Sequence, residues 1–336
     1  MNILYELDSN FAPQVCASMT SVCENNTAME SLHFYVFGLE LSEEVQQKLS
    51  AVGRKYNRSV TIVGIDGFMG EFGDFDTLGW NEIVMGRLFI ARFLPQDVHR
   101  VLYLDGDTIV RRSLAELDAY ELPEGKVLGA VIEPTVDRRR LSGLGISDVP
   151  YYNSGVLLID MVRWRSYDAE ERLHAYCMSH VDSIVAPDQD AINGALKGQI
   201  ESLPPTYNYC NTYEFYPYRT LKKLMGNLPY YSEELVQEAI ADPCIVHFLG
   251  EERPWREGNT HTYCDEYKHY LSMTPYSDTP DETGWRSYFR AWKLFNTMMK
   301  PVPMLRYKTI TALIPKMLSM RKKKRKREQD ISGKTQ

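Results

Sequence analysis

Two hydrophobic rhythms alternate along the chain. Short apolar runs suited to buried strands occur at residues 3–7, 32–37, 60–65, 101–104, 127–132, 155–159 and 244–248. Between them, segments near 11–24, 41–56, 81–94, 161–178 and 188–197 repeat their apolar positions with the period of a helix. This alternation predicts an α/β domain on a single, mostly parallel central sheet flanked by helices. From about residue 205 the rhythm fails: Pro204 to Tyr213 reads Pro-Pro-Thr-Tyr-Asn-Tyr-Cys-Asn-Thr-Tyr, an irregular aromatic texture common in loops beside clefts.

Composition narrows this picture. With 336 residues, 44% of them hydrophobic, the chain can bury one large core or two modest ones. The six cysteines (Cys16, Cys23, Cys177, Cys210, Cys244, Cys264) form no C-x-x-C pair, which suits reduced thiols better than a zinc site or a disulfide frame. The start, Met-Asn-Ile-Leu-Tyr-Glu, goes directly into a strand-like run, so a signal peptide is not expected, and no apolar stretch is long enough to span a bilayer. A cytoplasmic protein is the expectation. Charge is uneven: the net value is −7, yet residues 321–327 carry seven positive charges, leaving the remainder at −14.

The most informative stretch is Arg100 to Val110, where the apolar run Val101-Leu102-Tyr103-Leu104 ends in Asp105-Gly106-Asp107. Alternation puts both carboxylates on one side, with Gly106 between them to let a ligand approach the backbone. Two adjacent anions repel unless a cation neutralises them, and hard oxygen ligands suit Mn2+ or Mg2+, which also bind phosphate oxygens. An Asp-Gly turn after a strand accounts for the string equally well by itself, so its company decides.

Four other clusters provide that company. Asp8-Ser9-Asn10-Phe11 follows the first strand, where open α/β sheets bind ligands. Tyr151-Tyr152-Asn153-Ser154-Gly155 brings an amide to a strand entrance, and Pro187-Asp188-Gln189-Asp190 opens a helix with two carboxylates around an amide, suited to capping or to sugar hydroxyls. His247-Phe248-Leu249-Gly250-Glu251-Glu252-Arg253-Pro254-Trp255 combines an imidazole, a glycine and a cation.

Together these motifs, in order from Met1 to about residue 265, resemble the retaining glycosyltransferases of family eight, which include lipopolysaccharide galactosyl- and glucosyltransferases and the glycogenins. The resemblance implies a GT-A type nucleotide-diphospho-sugar transferase fold. It implies Mn2+, with Mg2+ as a substitute, on Asp105, Asp107 and His247. Asp8, Asn10 and Phe11 match the uridine-reading positions, Arg87 in Met85-Gly86-Arg87-Leu88 a donor-binding arginine, Asn153, Asp188 and Gln189 the donor-sugar contacts, and Gly250 and Arg253 the positions around the diphosphate, with Gly106 a further donor-binding candidate. Arg253 stands where the family usually has lysine, and Glu133 where relatives often have aspartate. The implied reaction moves glucose or galactose from a UDP-sugar to a saccharide or lipid-linked glycan in cell-surface polysaccharide synthesis. Asp188, Gln189 and Asp190 are the catalytic candidates. Gln189 is a poor nucleophile, so front-face attack is favoured, with Asp190 as the alternative nucleophile.

Other classes fit less well. A nucleotidyltransferase would need a glycine-rich loop after its first strand, and residues 8–16 hold no glycine; Gly143-Leu144-Gly145 begins a dinucleotide fingerprint without completing it. A catalytically inactive, membrane-associated relative and a transferase using another nucleotide sugar are the alternatives. The chain divides into a catalytic domain (1–265), a helical and aromatic segment (266–300) and an amphipathic basic tail (301–336). In the tail Ile310, Leu313, Ile314, Met317 and Leu318 share one helical face, Pro315 is expected to kink or divide the helix, and the basic run follows. Such a tail suits the anionic inner leaflet of the plasma membrane, each basic residue contributing about 1 kcal/mol, and nucleic acid is not the expected partner.

Overall fold

The computed structural model describes residues 1–72, 75–77 and 80–332, without the side chains of 71, 318 and 321–332. Among the described residues nine strands form two sheets: β1 (Asn2–Asp8), β2 (His33–Leu39), β3 (Ser59–Gly64), β4 (Arg100–Leu104), β5 (Thr108–Val110), β6 (Leu128–Ile132), β7 (Tyr152–Asp160), β8 (Ile200–Ser202) and β9 (Ile245–His247). The central sheet has the order β3-β2-β1-β4-β7-β6-β8. Only β7 is reversed: it pairs antiparallel with β4 and β6, and the other neighbours are parallel. The expected mostly parallel sheet is present.

That one reversal positions the site. It brings the amino end of β7, with Asn153, Ser154 and Gly155, to the edge where β1 delivers Asp8 and β4 delivers Asp105. The backbone bond from Asp105 N–H to Gly155 O, 2.8 Å, closes the junction. The run 244–248 is a strand, but not in the central sheet: β9 pairs antiparallel with β5 and sets His247 opposite Thr108. The chain turns sharply after β4 to make β5, so Asp105 and Asp107 converge through a turn and not by strand alternation.

The helices follow the apolar periodicity where local preference and packing agree. Residues near 11–24 and 41–56 form Ala12–Asn25 and Glu43–Lys55, the second capped by Ser42, whose hydroxyl accepts from Val45 N–H. The segment near 81–94 is instead a 3-10 helix, Glu82–Phe89, running into the short α-helix Ile90–Phe93. Within it a Cβ on Gly86 would lie 2.8 Å from Ile65 Cδ1 and 3.0 Å from Glu6 Oε2, so close packing onto the sheet overrides the regular helix. The segment near 161–178 breaks into Met161–Ser166 and Ala169–Ser179 at Asp168, which has a left-handed φ of 53°. The aromatic segment holds the 3-10 helix Pro205–Asn208.

The carboxyl end is helical. Arg286–Met299 is followed by Pro303–Ser332, which continues through Pro315 without division. One proline removes one intrahelical hydrogen bond, and the turns on either side carry the helix across. Leu305, Leu313, Ile314, Met317 and Met320 are exposed along it. Leu318 and the basic run 321–327 lie on this helix, but their side chains are outside the described residues. No helix is long and apolar enough to cross a membrane among the described residues. All six cysteines are buried and unpaired.

Candidate active site

A cleft of about 380 Å³ opens at the carboxyl edge of the central sheet, between the ends of β1 and β4, the start of β7 and the segment after β9. At its floor Asp105, Asp107 and His247 offer two carboxylate oxygens and one imidazole nitrogen within 4.8 Å of one another. His247 Nε2 lies 3.2 Å from Asp107 Oδ1 and 3.5 Å from Asp105 Oδ2.

The hydrogen bonds behind this trio assign the proton on His247. Gly155 N–H donates to Asn153 Oδ1 at 2.9 Å, which anchors that oxygen. Asn208 Nδ2 therefore faces Asn153 Oδ1, at 2.8 Å, and Asn208 Oδ1 turns to His247 Nδ1, at 2.9 Å. Nδ1 carries the hydrogen, and the Nε2 lone pair is left for a cation. Gly155 is the other requirement: a Cβ there would lie 2.1 Å from His247 Cε1 and 2.8 Å from Asp105 Oδ2. Donor chemistry, tautomer and room all fit Mn2+ or Mg2+. Burial pushes the Asp107 carboxyl up, but His247 and Arg253 outweigh it and hold it below the usual range. Burial depresses His247, and the two aspartates more than reverse that.

Arg87 is the electrostatic hub. Its side chain is buried, with Nη1 2.9 Å from Asp105 Oδ1 and 3.2 Å from Asp188 Oδ2, and Nε donating to Glu6 Oε1 at 2.7 Å. The guanidinium lies over the Tyr103 ring, whose hydroxyl sits 2.7 Å from Asp105 Oδ1. Burial opposes the charge on Arg87, and Asp105, Glu6 and Asp188 outweigh it. Burial raises the Glu6 carboxyl to about 7, against the lowering effect of Arg87.

The helix Pro187–Ala195 presents Asp188 and Gln189 to the cleft. Asp188 Oδ2 accepts from Ser154 Oγ at 2.7 Å, and Gln189 Oε1 accepts from Ser154 N–H at 3.1 Å. Asp190 does not join them. It has no exposed surface, its Oδ2 accepts from the N–H groups of Val185 and Ala186 at 2.7 and 3.0 Å, and its Oδ1 is held by Tyr151 and Arg140. A carboxylate with both oxygens so engaged ties the turn before the helix to its first turn and is not available to attack a substrate.

At the other end of the cleft Asp8 accepts from Asn10 N–H at 2.9 Å and from the Asn81 side-chain amide. Asp8 and Phe11 line the cleft; Asn10 is exposed and lies outside its lining. Phe11 meets Trp255 edge-on at 5.8 Å and lies under Arg253 at 5.7 Å. Gly106 lines the cleft as well, but the space its missing Cβ frees is filled by Phe11 and Val15, 2.9 and 2.7 Å from that position, and not by the approach of a ligand. Gly250, at a φ of 71°, turns the chain after β9, and Arg253 Nη2 reaches Asp107 Oδ2 at 3.4 Å. Glu133 is held in a turn by Thr135 N–H at 3.2 Å and is not part of the cleft lining.

Glu6, Gly155, Ser154 and Asn208 carry roles in the cleft that their sequence context does not show. Gly155 and Ser154 stand inside a motif already noted, and Asn208 inside the aromatic segment, but nothing in one dimension shows that Asn208 meets His247 across 39 positions.

The family described as glycosyl transferase family 8 matches residues 2–259. Among curated proteins the chain is 27% identical over 281 residues to general stress protein A of Bacillus subtilis, covering 82% of this chain and 95% of that protein. It is 26% identical to a lipopolysaccharide 1,2-glucosyltransferase of Escherichia coli, over 83% of this chain and 79% of the other. Among solved structures, the galactosyltransferase LgtC in complex with donor and acceptor sugar analogues superposes with a TM-score of 0.70 at 23% identity, over 85% of this chain and 99% of that one. The fold is of the GT-A type.

Proposed function

The chain belongs to glycosyl transferase family 8, and from that premise we propose that it is a retaining, Mn2+-dependent hexosyltransferase taking glucose or galactose from a UDP-sugar. The acceptor is a saccharide or lipid-linked glycan of the cell surface. The observation that carries the reading is the convergence of Asp105, Asp107 and His247 at the floor of a cleft with Asp8 at one end and Asp188 at the other.

The divisions of labour follow from residue type. A divalent cation on Asp105, Asp107 and His247 supplies Lewis-acid neutralisation of the departing diphosphate, a contribution of several kcal/mol. Arg253, half-buried against Phe11 and Trp255, adds positive charge beside Asp107 for the same oxygens. Asp8 accepts from donors on the uracil or ribose, while Phe11 contributes an apolar wall. Asp188, Gln189 and Asn153 hold hydroxyls of the donor sugar. Arg87 keeps Asp105 and Asp188 at a fixed spacing, so cation and sugar are set relative to each other.

Front-face attack by the acceptor hydroxyl is the mechanism this arrangement supports. Gln189 is not a nucleophile, and the commitment of Asp190 to Tyr151, Arg140 and two backbone amides takes away the alternative nucleophile that the sequence offered beside it. Peripheral attachment to an anionic membrane through the carboxyl-terminal helix completes the proposal.

The test is a screen of nucleotide sugars with Mn2+, scoring release of the nucleoside diphosphate. UDP-glucose or UDP-galactose should give turnover that chelation stops, and an α-linked donor should give an α-linked product by NMR. No release from any UDP-sugar, or a β-linked product, rejects the reading.

A further inference from the structure

The loop that carries Gly250 and Arg253 is held from outside the cleft by Glu282, further along the chain. Glu282 forms an isolated parallel bridge with Arg256: its N–H donates to Trp255 O at 2.8 Å and its carbonyl accepts from Glu257 N–H at 3.0 Å. Its carboxylate grips Trp255 and Arg256, with Oε1 accepting from the Trp255 indole at 3.0 Å and Oε2 from Arg256 Nε at 3.0 Å. Arg256 is sandwiched further, its guanidinium 3.8 Å over the Trp285 ring and Nη1 donating to Glu251 O at 3.2 Å.

What this grip controls is the aim of Arg253. Among the described residues Arg253 Nε is buried without a hydrogen-bond partner, and its one ion pair is the 3.4 Å contact to Asp107. The guanidinium is otherwise placed by the ring faces of Trp255, at 5.5 Å, and Phe11, at 5.7 Å. Trp255 is thus both a wall for Arg253 and the residue whose indole Glu282 fixes. We propose that Glu282 is a positioning residue for the donor diphosphate: it clamps the 250–257 loop so that Arg253 faces the cleft, which makes the segment after residue 265 a working part of the site. The proposal rests on the UDP-sugar reading of the cleft.

The side chain of Glu282 is 49% exposed, while those of Trp255 and Arg256 are largely buried. A half-exposed carboxylate adds little to global stability. Its two-pronged grip adds geometry, and small misplacement of a charged binding group is costly. Removing it should therefore loosen the loop and leave the rest of the fold intact.

The experiment uses the full-length protein and the variants E282A and E282Q. Hydrogen exchange of amides 249–257 in the free protein should quicken roughly tenfold in E282A, while β9 is unchanged. In the presence of Mn2+, UDP affinity should fall roughly tenfold and donor KM rise by the same factor, with kcat changed by less than about threefold and Mn2+ affinity preserved. E282Q should fall between, because its amide oxygen still accepts from Trp255 while the charge opposite Arg256 is lost. Unchanged exchange overturns the clamp; a loosened loop with unchanged UDP affinity overturns its role toward the donor. Should E282A fail to fold, E282Q, which keeps the shape of the side chain and removes only its charge, carries the same two readouts. A wild-type protein that binds no UDP overturns the donor reading, and the exchange comparison still decides the clamp.

Discussion

Asn208 governs which form of His247 the cleft contains. Because its Oδ1 accepts from Nδ1, the imidazole presents Nε2 to the aspartates, and a chain of three hydrogen bonds from Gly155 N–H enforces that orientation. Removing the amide leaves the ring free to rotate and to change tautomer. Asn208→Ala should weaken Mn2+ binding by about 10- to 100-fold, as loss of such an outer partner generally does; a manganese titration giving unchanged affinity contradicts the assignment. Asp105→Asn or Asp107→Asn should do more, abolishing Mn2+-dependent UDP release while circular dichroism and the unfolding midpoint stay near wild type. Turnover close to normal in either variant removes the metal site from the account. Gly155→Ala belongs with these, since its Cβ would occupy the space of His247 Cε1.

At the scale of elements, the stretch after β9 is a junction between the catalytic sheet and the carboxyl-terminal helices. Glu252 sits in it, bonded by the Asn211 side chain, and burial raises its carboxyl to about 7 from an ordinary 4.5, against the lowering effect of Trp292 and Asn211. The folded protein therefore holds this proton where the unfolded chain has released it. Stability contributed by this group is intact below about 4.5 and declines as the pH rises through about 7. Glu252→Gln does not titrate, so its stability relative to wild type should grow between about pH 5 and about pH 8, by at most about 3 kcal/mol. Urea unfolding at both values measures it, and a gap that is flat or narrows with pH disproves it. Arg306 ties the last helix to the same junction: it is buried, donates to Tyr216 Oη at 2.7 Å and lies 4.0 Å over the Phe215 ring.

For the whole molecule, the opposition between an acidic body and a basic end has a geometrical counterpart. The exposed apolar residues Leu313, Ile314, Met317 and Met320 lie on the part of the last helix beyond Arg306, directly before the run 321–327. A cut that spares Arg306 separates attachment from chemistry. Deleting residues 312–336 should release the enzyme from anionic vesicles and preserve Mn2+-dependent UDP release, since every candidate of the cleft precedes residue 256. Vesicle binding by the full-length chain should weaken steeply with salt, leaving a modest apolar remainder. If the full-length protein ignores anionic vesicles at low salt and binds RNA or DNA tightly, the tail belongs to nucleic acid instead.

Much of this protein was legible in one dimension, because its information is local. Strand runs, the main helices and the paired carboxylates of Asp105-Gly106-Asp107 are each written within a few consecutive residues, where periodicity and side-chain chemistry act directly. The sequence by itself determined the α/β class, the placement of Asp8 and Asp105 after apolar strands, and the pair Asp105 and Asp107 as a candidate for a cation. Tertiary structure alone decided what depends on residues far apart in the chain. The reversal of β7 brought Asn153 and Gly155 beside Asp105; the pairing of β9 with β5, not with the central sheet, delivered His247 to the same point. Asp188 and Asp190, two positions apart on one helix, parted for the same reason: the helix turned Asp188 to Ser154 and the cleft, and Asp190 to the turn before the helix. Burial and long-range hydrogen bonding are properties of the packed molecule, and no pattern of neighbours along the chain encodes which of two like carboxylates they will claim.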